Sequence, residues 1–412
     1  MRVLLCILLF ASRSFAGCGE PVPDGLACTT QQIGSATQKN CLLTDDKYRP
    51  ACSSSPQPFA ISYQNGQDKL IPSFKLPGST PYPISCVTPD LGYLPGNIQL
   101  DMCGGHYGAF DDCGGTVDWG SWFFGDSHQE RAIAVLDTMY RDNLNIMDFN
   151  AGVHCFGSSI GSYRCSALAM DLKDEFHRSR FTLISVFSGA TDLDSPRNTY
   201  GPEVEDFDFS RVDFSVQAAA GKLDNQFWVY VVDDADTSVA VDTAKKAAEC
   251  NQYRIKCKIF KHPFGHGGPN WSMHDPRLRG LYNGPDEQHR LDLPVIVFTN
   301  SSADDLSGDW GIYGYGNTYN AAGIVDTSSL LKVPLGYRPI TDPLTGINMP
   351  PSATSDVTIR PRHFEIISGN QYRYQFGDII GYSTAEKSGE ITIPSVSLSN
   401  DLSYTMLEIN DV

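Results

Sequence analysis

Apolar residues are spaced differently along the chain, and the spacing predicts the elements. From Ser127 to Arg141, the residues Ala132, Ile133, Val135, Leu136, Met139 and Tyr140 recur at helical intervals. Ser127 and Glu130 form a capping-box pattern, so an amphipathic helix is expected there. Two unbroken β-branched and aromatic runs, Phe181–Phe187 (FTLISVF) and Phe227–Val232 (FWVYVV), have the pattern of buried strands. A helix rich in Ala and Lys, about Thr243 to Cys250, leads to a further strand over Ile255–Phe260. Before FTLISVF, the apolar residues Val153, Cys155 and Phe156 read as a strand, and Tyr163, Cys165, Ala167 and Leu168 as the start of a helix. Strand and helix thus alternate, as in a parallel sheet with helical crossovers.

The flanking regions follow other rules. Phe59–Tyr63 and Leu70–Phe74 alternate on either side of Asn65-Gly66 and read as a hairpin. A short strand, Asn97–Met102, runs into Cys103-Gly104-Gly105-His106-Tyr107-Gly108. Beyond about residue 290 helical periodicity fades. Short strands are expected at Asp356–Arg360, Arg362–Ile367, Tyr372–Phe376, Glu390–Ile393 and Tyr404–Ile409, the spacing of a small β-sandwich.

The 412 residues divide on these grounds into a leader at 1–16, a Cys-rich N-terminal segment at 17–55, an α/β domain at 56–290, a connecting region at 291–350 and a C-terminal β domain at 351–412. The leader has the charged, apolar and small-residue zones of a secretory signal, with cleavage expected after Ala16. No other stretch approaches the ~18 apolar residues of a membrane span, so an exported, extracellular product is expected. The N-terminal segment has little apolar periodicity and reads as a small disulfide-stapled cap.

Composition narrows the partners. The formal charge is −17, and losing Arg2 and Arg13 with the leader brings it to −19. Such a surface repels phosphate backbones and anionic headgroups, which argues against nucleic acid or membrane partners. Of twelve cysteines, Cys6 leaves with the leader, and the remaining odd number predicts at least one unpaired thiol. Local pairing is plausible among Cys18, Cys28, Cys41 and Cys52, and for Cys103 with Cys113 and Cys250 with Cys257; no paired C-x-x-C spacing points to structural zinc. Sequons at Asn270 and Asn300 would accept glycans if exposed. The acidic stretch from Thr191 to Ser215 lacks a calcium-loop register and reads as a short lid.

The candidate chemistry centres on Gly157-Ser158-Ser159-Ile160-Gly161, a G-x-S-x-G pentapeptide where a strand turns into a helix. Neighbours without a Cβ allow the two elements to approach closely around a serine. Asp236 follows the strand FWVYVV, and His266, within Phe264-Gly265-His266-Gly267, follows the next strand. A serine hydroxyl needs a base within reach, and the base needs an orienting acid. His266 is preferred over His262, which precedes a proline and lacks flanking glycines; Asp233 and Asp234 are read as solvated neighbours of the acid.

Together these features resemble the α/β-hydrolase superfamily, in particular its secreted esterase, dienelactone-hydrolase-like and prolyl-oligopeptidase-like branches, over about residues 97–270. The resemblance implies an α/β-hydrolase fold, a mostly parallel sheet flanked by helices, here with the Cys-rich segment and the β-sandwich-like domain added. It implies Ser159 as nucleophile, His266 as base and Asp236 as its orienting acid, in the order Ser, Asp, His. It also implies an oxyanion hole from the amide of Ile160 and a second donor in the Gly-rich loop. The loop reads Cys-Gly-Gly-His where the superfamily more often has His-Gly-Gly, so the second donor stands between Gly105 and His106. The expected activity is hydrolysis of a small-molecule or polymer-linked carboxylic ester, with no cofactor and no metal, and with a carbohydrate surface conceivable on the C-terminal domain. A peptidase of prolyl-oligopeptidase type would need a propeller for which the chain before the elbow is too short. A non-catalytic binding protein on the same scaffold is the rival from another class.

Overall fold

The computed structural model describes residues 21–49, 56–76, 96–102, 126–158, 160–187, 208–236, 241–263, 265–266, 290–308, 311–339, 348–399 and 404–411. The leader, Gly105, His106 and Ser159, the sequon at Asn270, most of the stretch read as a lid and the cysteines Cys18, Cys52, Cys103 and Cys113 lie outside these residues.

A ten-stranded mixed sheet organises most of the chain before residue 290. Its strands are β1 (Leu26–Ile33), β2 (Ala36–Leu43), β3 (Gln57–Gln64), β4 (Ile71–Leu76), β5 (Asn97–Asp101), β6 (Val153–Ser158), β7 (Phe181–Phe187), β8 (Phe227–Val232), β9 (Lys256–Lys261) and, after β10 (Val295–Thr299) in another sheet, β11 (Ile312–Tyr313). Their order is β1-β2-β3-β5-β4-β6-β7-β8-β9-β11. Strands β5, β4, β6, β7, β8 and β9 run parallel. The outer pairings β1–β2, β2–β3, β3–β5 and β9–β11 are antiparallel, so the expected mostly parallel sheet is a mixed one with a parallel centre.

The unbroken apolar runs explain the centre. Every residue of β7 and β8 is buried, because alternate side chains enter opposite faces and both faces are covered. On one face, Trp228, Tyr230 and Val232 pack with helices α1 (Asp126–Asn143), α2 (Ile160–Asp171) and, beyond the short α3 (Glu175–Ser179) and α4 (Phe214–Ala219), α5 (Thr243–Tyr253). On the other, Phe227, Val229 and Val231 pack with Phe156, Leu183, Phe260 and Ile312. No helix among the described residues is long and apolar enough to cross a membrane.

Three expectations are corrected. The stretches read as a hairpin, β3 and β4, do not pair: β5 lies between them, antiparallel to β3 and parallel to β4. The turn at Asn65-Gly66 is present, with Gly66 at φ +77°, but Ile71, Ser73, Phe74 and Leu76 are all buried, which places β4 inside the sheet. The N-terminal segment does not form a separate cap. Its strands β1 and β2 widen the main sheet, with Cys28 directly opposite Cys41 and disulfide-bonded to it. Arg362–Ile367 is not a strand: the backbone N–H groups of Arg362, His363 and Phe364 all donate to the carboxylate of Asp326, which turns that segment out of any ladder.

The C-terminal region is two sheets around one core. A three-stranded sheet joins β10, β15 (Ser352–Arg360) and β18 (Ile391–Ser399). A second sheet has the order β12 (Asn317–Tyr319), β14 (Leu331–Tyr337), β19 (Thr405–Asp411), β16 (Gln371–Phe376), β17 (Ile379–Thr384), with β13 (Val325–Asp326) paired to β14. Val357, Ile359 and Ile391 from the first sheet and Leu331, Val333, Leu407 and Ile409 from the second share that core. Strands from residues 291–350, expected as a connection, therefore contribute to it. Hydrogen bonds and ion pairs tie it to the region of the ten-stranded sheet: Arg360, paired with Glu390 at 2.7 Å, donates to the carbonyl of Arg254 at 2.8 Å and to that of Asp224 at 3.1 Å, and Arg254 pairs with Glu390 at 2.9 Å. Asp224 and Arg254 precede β8 and β9, at the end of those strands away from Asp236 and His266.

Candidate active site

The candidate residues follow three strands of the parallel centre. Ser159 follows β6, Asp236 follows β8 and His266 follows β9, and parallel strands deliver their C-terminal ends to one edge of the sheet.

At β6 the strand ends with Ser158 and α2 begins with Ile160, leaving Ser159, itself outside the described residues, as the single residue between them. The turn is tight for a reason visible in its glycine. A Cβ on Gly157 would lie 2.5 Å from the amide nitrogen of Ser162 and closer still to the carbonyl of Gly161, so no larger residue fits without moving the first turn of α2. Ser162, fully buried, fastens the same turn. Its hydroxyl donates to the carbonyl of Gly157 at 2.7 Å or that of Phe187 at 3.1 Å and accepts from the amide of Phe187 at 3.2 Å. A disulfide between Cys155 in β6 and Cys165 in α2 closes the strand–turn–helix unit from behind. Ile160 heads α2, where helical N–H groups have no intrahelical acceptor and face outward from the helix start.

The acid loop is equally constrained. Asp236, 2 % exposed, closes a turn in which its N–H donates to the carbonyl of Asp233 at 3.1 Å. Its Oδ2 lies 2.8 Å from Nδ1 of His266. A carboxylate only accepts, so Nδ1 is the donor and Nε2 is left as the basic nitrogen. The imidazole is about one-third exposed, accessible to a ligand yet held from one side. His262, the competitor considered above, is buried where β9 ends, and its backbone N–H donates to the carbonyl of Val232 at 3.1 Å.

The two aspartates read as solvated neighbours are not solvated alike. Asp234 pairs with Lys261 at 2.6 Å and accepts from the amide of Thr243 at 3.1 Å. The little burial it has pushes its carboxyl up, and Lys261 and Thr243 outweigh that, holding it below the ordinary range. Asp233 is buried, with Oδ1 accepting from the amide of Ala235 at 2.7 Å and Oδ2 from the amide of Gly265 at 2.5 Å. Sequence reading missed the roles of Asp233, Ser162 and the Cys155–Cys165 bridge. The signal for Ser162 was faint, a small polar residue in the first turn of an apolar helix; the cue for the bridge was two cysteines flanking the elbow. The second oxyanion donor, Gly105 or His106, lies outside the described residues.

No family model and no curated protein sequence matches the chain. Similar solved structures include a cold-adapted esterase from an Arctic intertidal metagenomic library, 14 % identical, covering 62 % of this chain and 98 % of its own, at a TM-score of 0.38. A fungal esterase from Rhizomucor miehei is 11 % identical over 61 % of this chain and 82 % of its own, at 0.37. An acetyl xylan esterase from Paenibacillus is 13 % identical over 60 % and 84 %, at 0.34. Overlaps of this size do not constrain the chemistry, which is argued from the site itself.

Proposed function

We propose that the chain is an exported serine hydrolase of the α/β-hydrolase fold that cleaves carboxylic esters through an acyl-enzyme. The observation that carries this reading is the 2.8 Å hydrogen bond from His266 Nδ1 to the buried carboxylate of Asp236, at the sheet edge where β6 turns into α2 around residue 159. In this reading Nε2 of His266 removes the proton from Ser159 as its oxygen attacks the ester carbonyl. Asp236 keeps the imidazole in the productive tautomer and stabilises the imidazolium. The amides of Ile160 and of Gly105 or His106 donate to the oxyanion. The imidazolium then protonates the departing alcohol, and a water, activated by the same nitrogen, releases the acid and regenerates the serine.

Three disulfides among the described residues fit an oxidising compartment. The sequon asparagine Asn300 is exposed, as a glycan acceptor must be, and the substrate is a small-molecule or polymer-linked ester. The test is hydrolysis of a panel of short- and long-chain aryl esters by the wild type and by Ser159→Ala, Asp236→Ala and His266→Ala. Turnover abolished by each replacement supports the reading. Turnover that survives Ser159→Ala rejects it.

A further inference from the structure

We propose that Asp233 is a positioning residue: its buried carboxylate fixes the base-bearing loop to the acid-bearing loop and so sets the distance between His266 and Asp236. The proposal deepens the esterase reading, since the pair it positions is the one assigned to acid–base chemistry there.

His266 and Asp236 lie 30 residues apart on loops that follow different strands, β9 and β8. Adjacent parallel strands fix the loop roots, but a loop beyond the last ladder bond is free to swing unless something holds it. Asp233 is the first residue after β8 and is 7 % exposed. One oxygen of its carboxylate accepts from the amide of Ala235 at 2.7 Å, closing the turn that also carries the Asp236 N–H to the Asp233 carbonyl at 3.1 Å. The other oxygen accepts from the amide of Gly265 at 2.5 Å, immediately before His266. Both oxygens are thus committed to the backbone of the two loops. Gly265 stands at φ +64°, with nothing within 4 Å of where a Cβ would be. Glycine is needed there for the left-handed conformation and not for space, and the carboxylate of Asp233 is the group that its N–H meets.

The neighbouring acid does different work. Asp234 faces Lys261 and the start of α5, which holds the outer side of the loop and leaves Asp233 as the link between the two catalytic segments. A charged acceptor makes stronger hydrogen bonds than a neutral one, and a buried one that loses a donor leaves an expensive orphan. Asp233→Asn is the informative change. Its single oxygen can serve one amide, while its NH2 group turned toward the other sets donor against donor. It therefore severs the link at nearly constant volume.

The experiment compares wild type, Asp233→Asn and Asp233→Ala by three readouts on the full chain. These are kcat and KM on an aryl ester, thermal unfolding, and the low-field proton NMR resonance of an imidazole Nδ1–H held to a carboxylate. The expected result is a kcat loss on the order of 10²-fold, the size associated with a misplacement of about 1 Å, with KM within a few fold. The low-field resonance is lost or broadened in folded protein. Full kcat with an intact resonance in Asp233→Asn overturns the proposal. So does a fall in melting temperature with the resonance unchanged, which would make Asp233 merely structural. Should neither variant fold, hydrogen exchange on the wild type decides: the Gly265 amide is expected to be strongly protected, and exchange at an open-loop rate overturns the proposal. A wild type that lacks esterase turnover but shows the resonance, lost in Asp233→Asn, would sink the esterase reading and leave the positioning role standing.

Discussion

Gly157→Ala tests the elbow by adding one carbon. An ordinary van der Waals contact begins at 3.4 Å, whereas the new Cβ would meet the Ser162 nitrogen at 2.5 Å. The atoms in the way are backbone atoms of the first turn of α2, and that turn cannot yield by a rotamer change. It is pinned by Ser162 to the ends of β6 and β7 and by Cys165 to β6. Relief requires α2 to move by about 1 Å relative to β6, and overpacking of this kind costs about 1–3 kcal/mol. The movement falls on Ser159 and on the Ile160 amide together, so kcat should drop on the order of 10²-fold, with KM changed far less. The assay is steady-state hydrolysis of an aryl acetate beside a urea unfolding curve, with the midpoint expected to fall. A variant with kcat within twofold of wild type and an unchanged midpoint would refute the reasoning, because the strand and helix would not then be in the contact described.

The remaining predictions concern the frame around the site. Replacing Cys155 and Cys165 together by serine opens a short loop and should cost about 3 kcal/mol, read as a lower denaturant midpoint; an unchanged midpoint would mean that the bridge constrains nothing. Arg360→Met leaves the buried Glu390 with a diminished set of cations, and breaking such a pair costs about 3–5 kcal/mol. Because its contacts precede β8 and β9, the folded enzyme should keep its full kcat, as steady-state assays after a size-exclusion step would show. Burial, opposed by the amide of Gly314 at 2.6 Å, pushes the carboxyl of Asp304 up from 3.8 to about 7. The folded state then holds the proton more tightly than the unfolded chain, so this stabilisation is complete below about pH 3.8 and lost as pH rises through 7. Melting temperature measured across pH 4–8 should therefore decline less steeply in Asp304→Asn than in wild type, and parallel curves would contradict the assignment.

Much of the parallel centre was readable in the sequence because its strands are buried on both faces. FTLISVF and FWVYVV need no knowledge of their partners to be seen as strands, and β7 and β8 coincide with them. The pairing of β3 with β5 was not readable, since Asn65-Gly66 supplies a real turn and only the arrival of a strand thirty residues later decides against a hairpin. Arg362–Ile367 alternates like a strand, but the carboxylate of Asp326, 36 residues earlier, captures its first amides. The strand β17 went unnoticed for the opposite reason: Ile379, Ile380 and Tyr382 are exposed at the sheet edge, so apolar content there does not report burial. In the site, residue types and order pointed to Asp236 and His266, whereas the bond from Asp233 to Gly265 spans 32 residues and has no local signature.

Fluorophosphonate labelling followed by peptide mapping tests the central claim most directly. The account predicts one phosphonyl adduct, on Ser159, formed rapidly in the wild type and lost in His266→Ala although that protein remains folded. An adduct on another serine, or labelling of Ser159 that proceeds undiminished without His266, would contradict it.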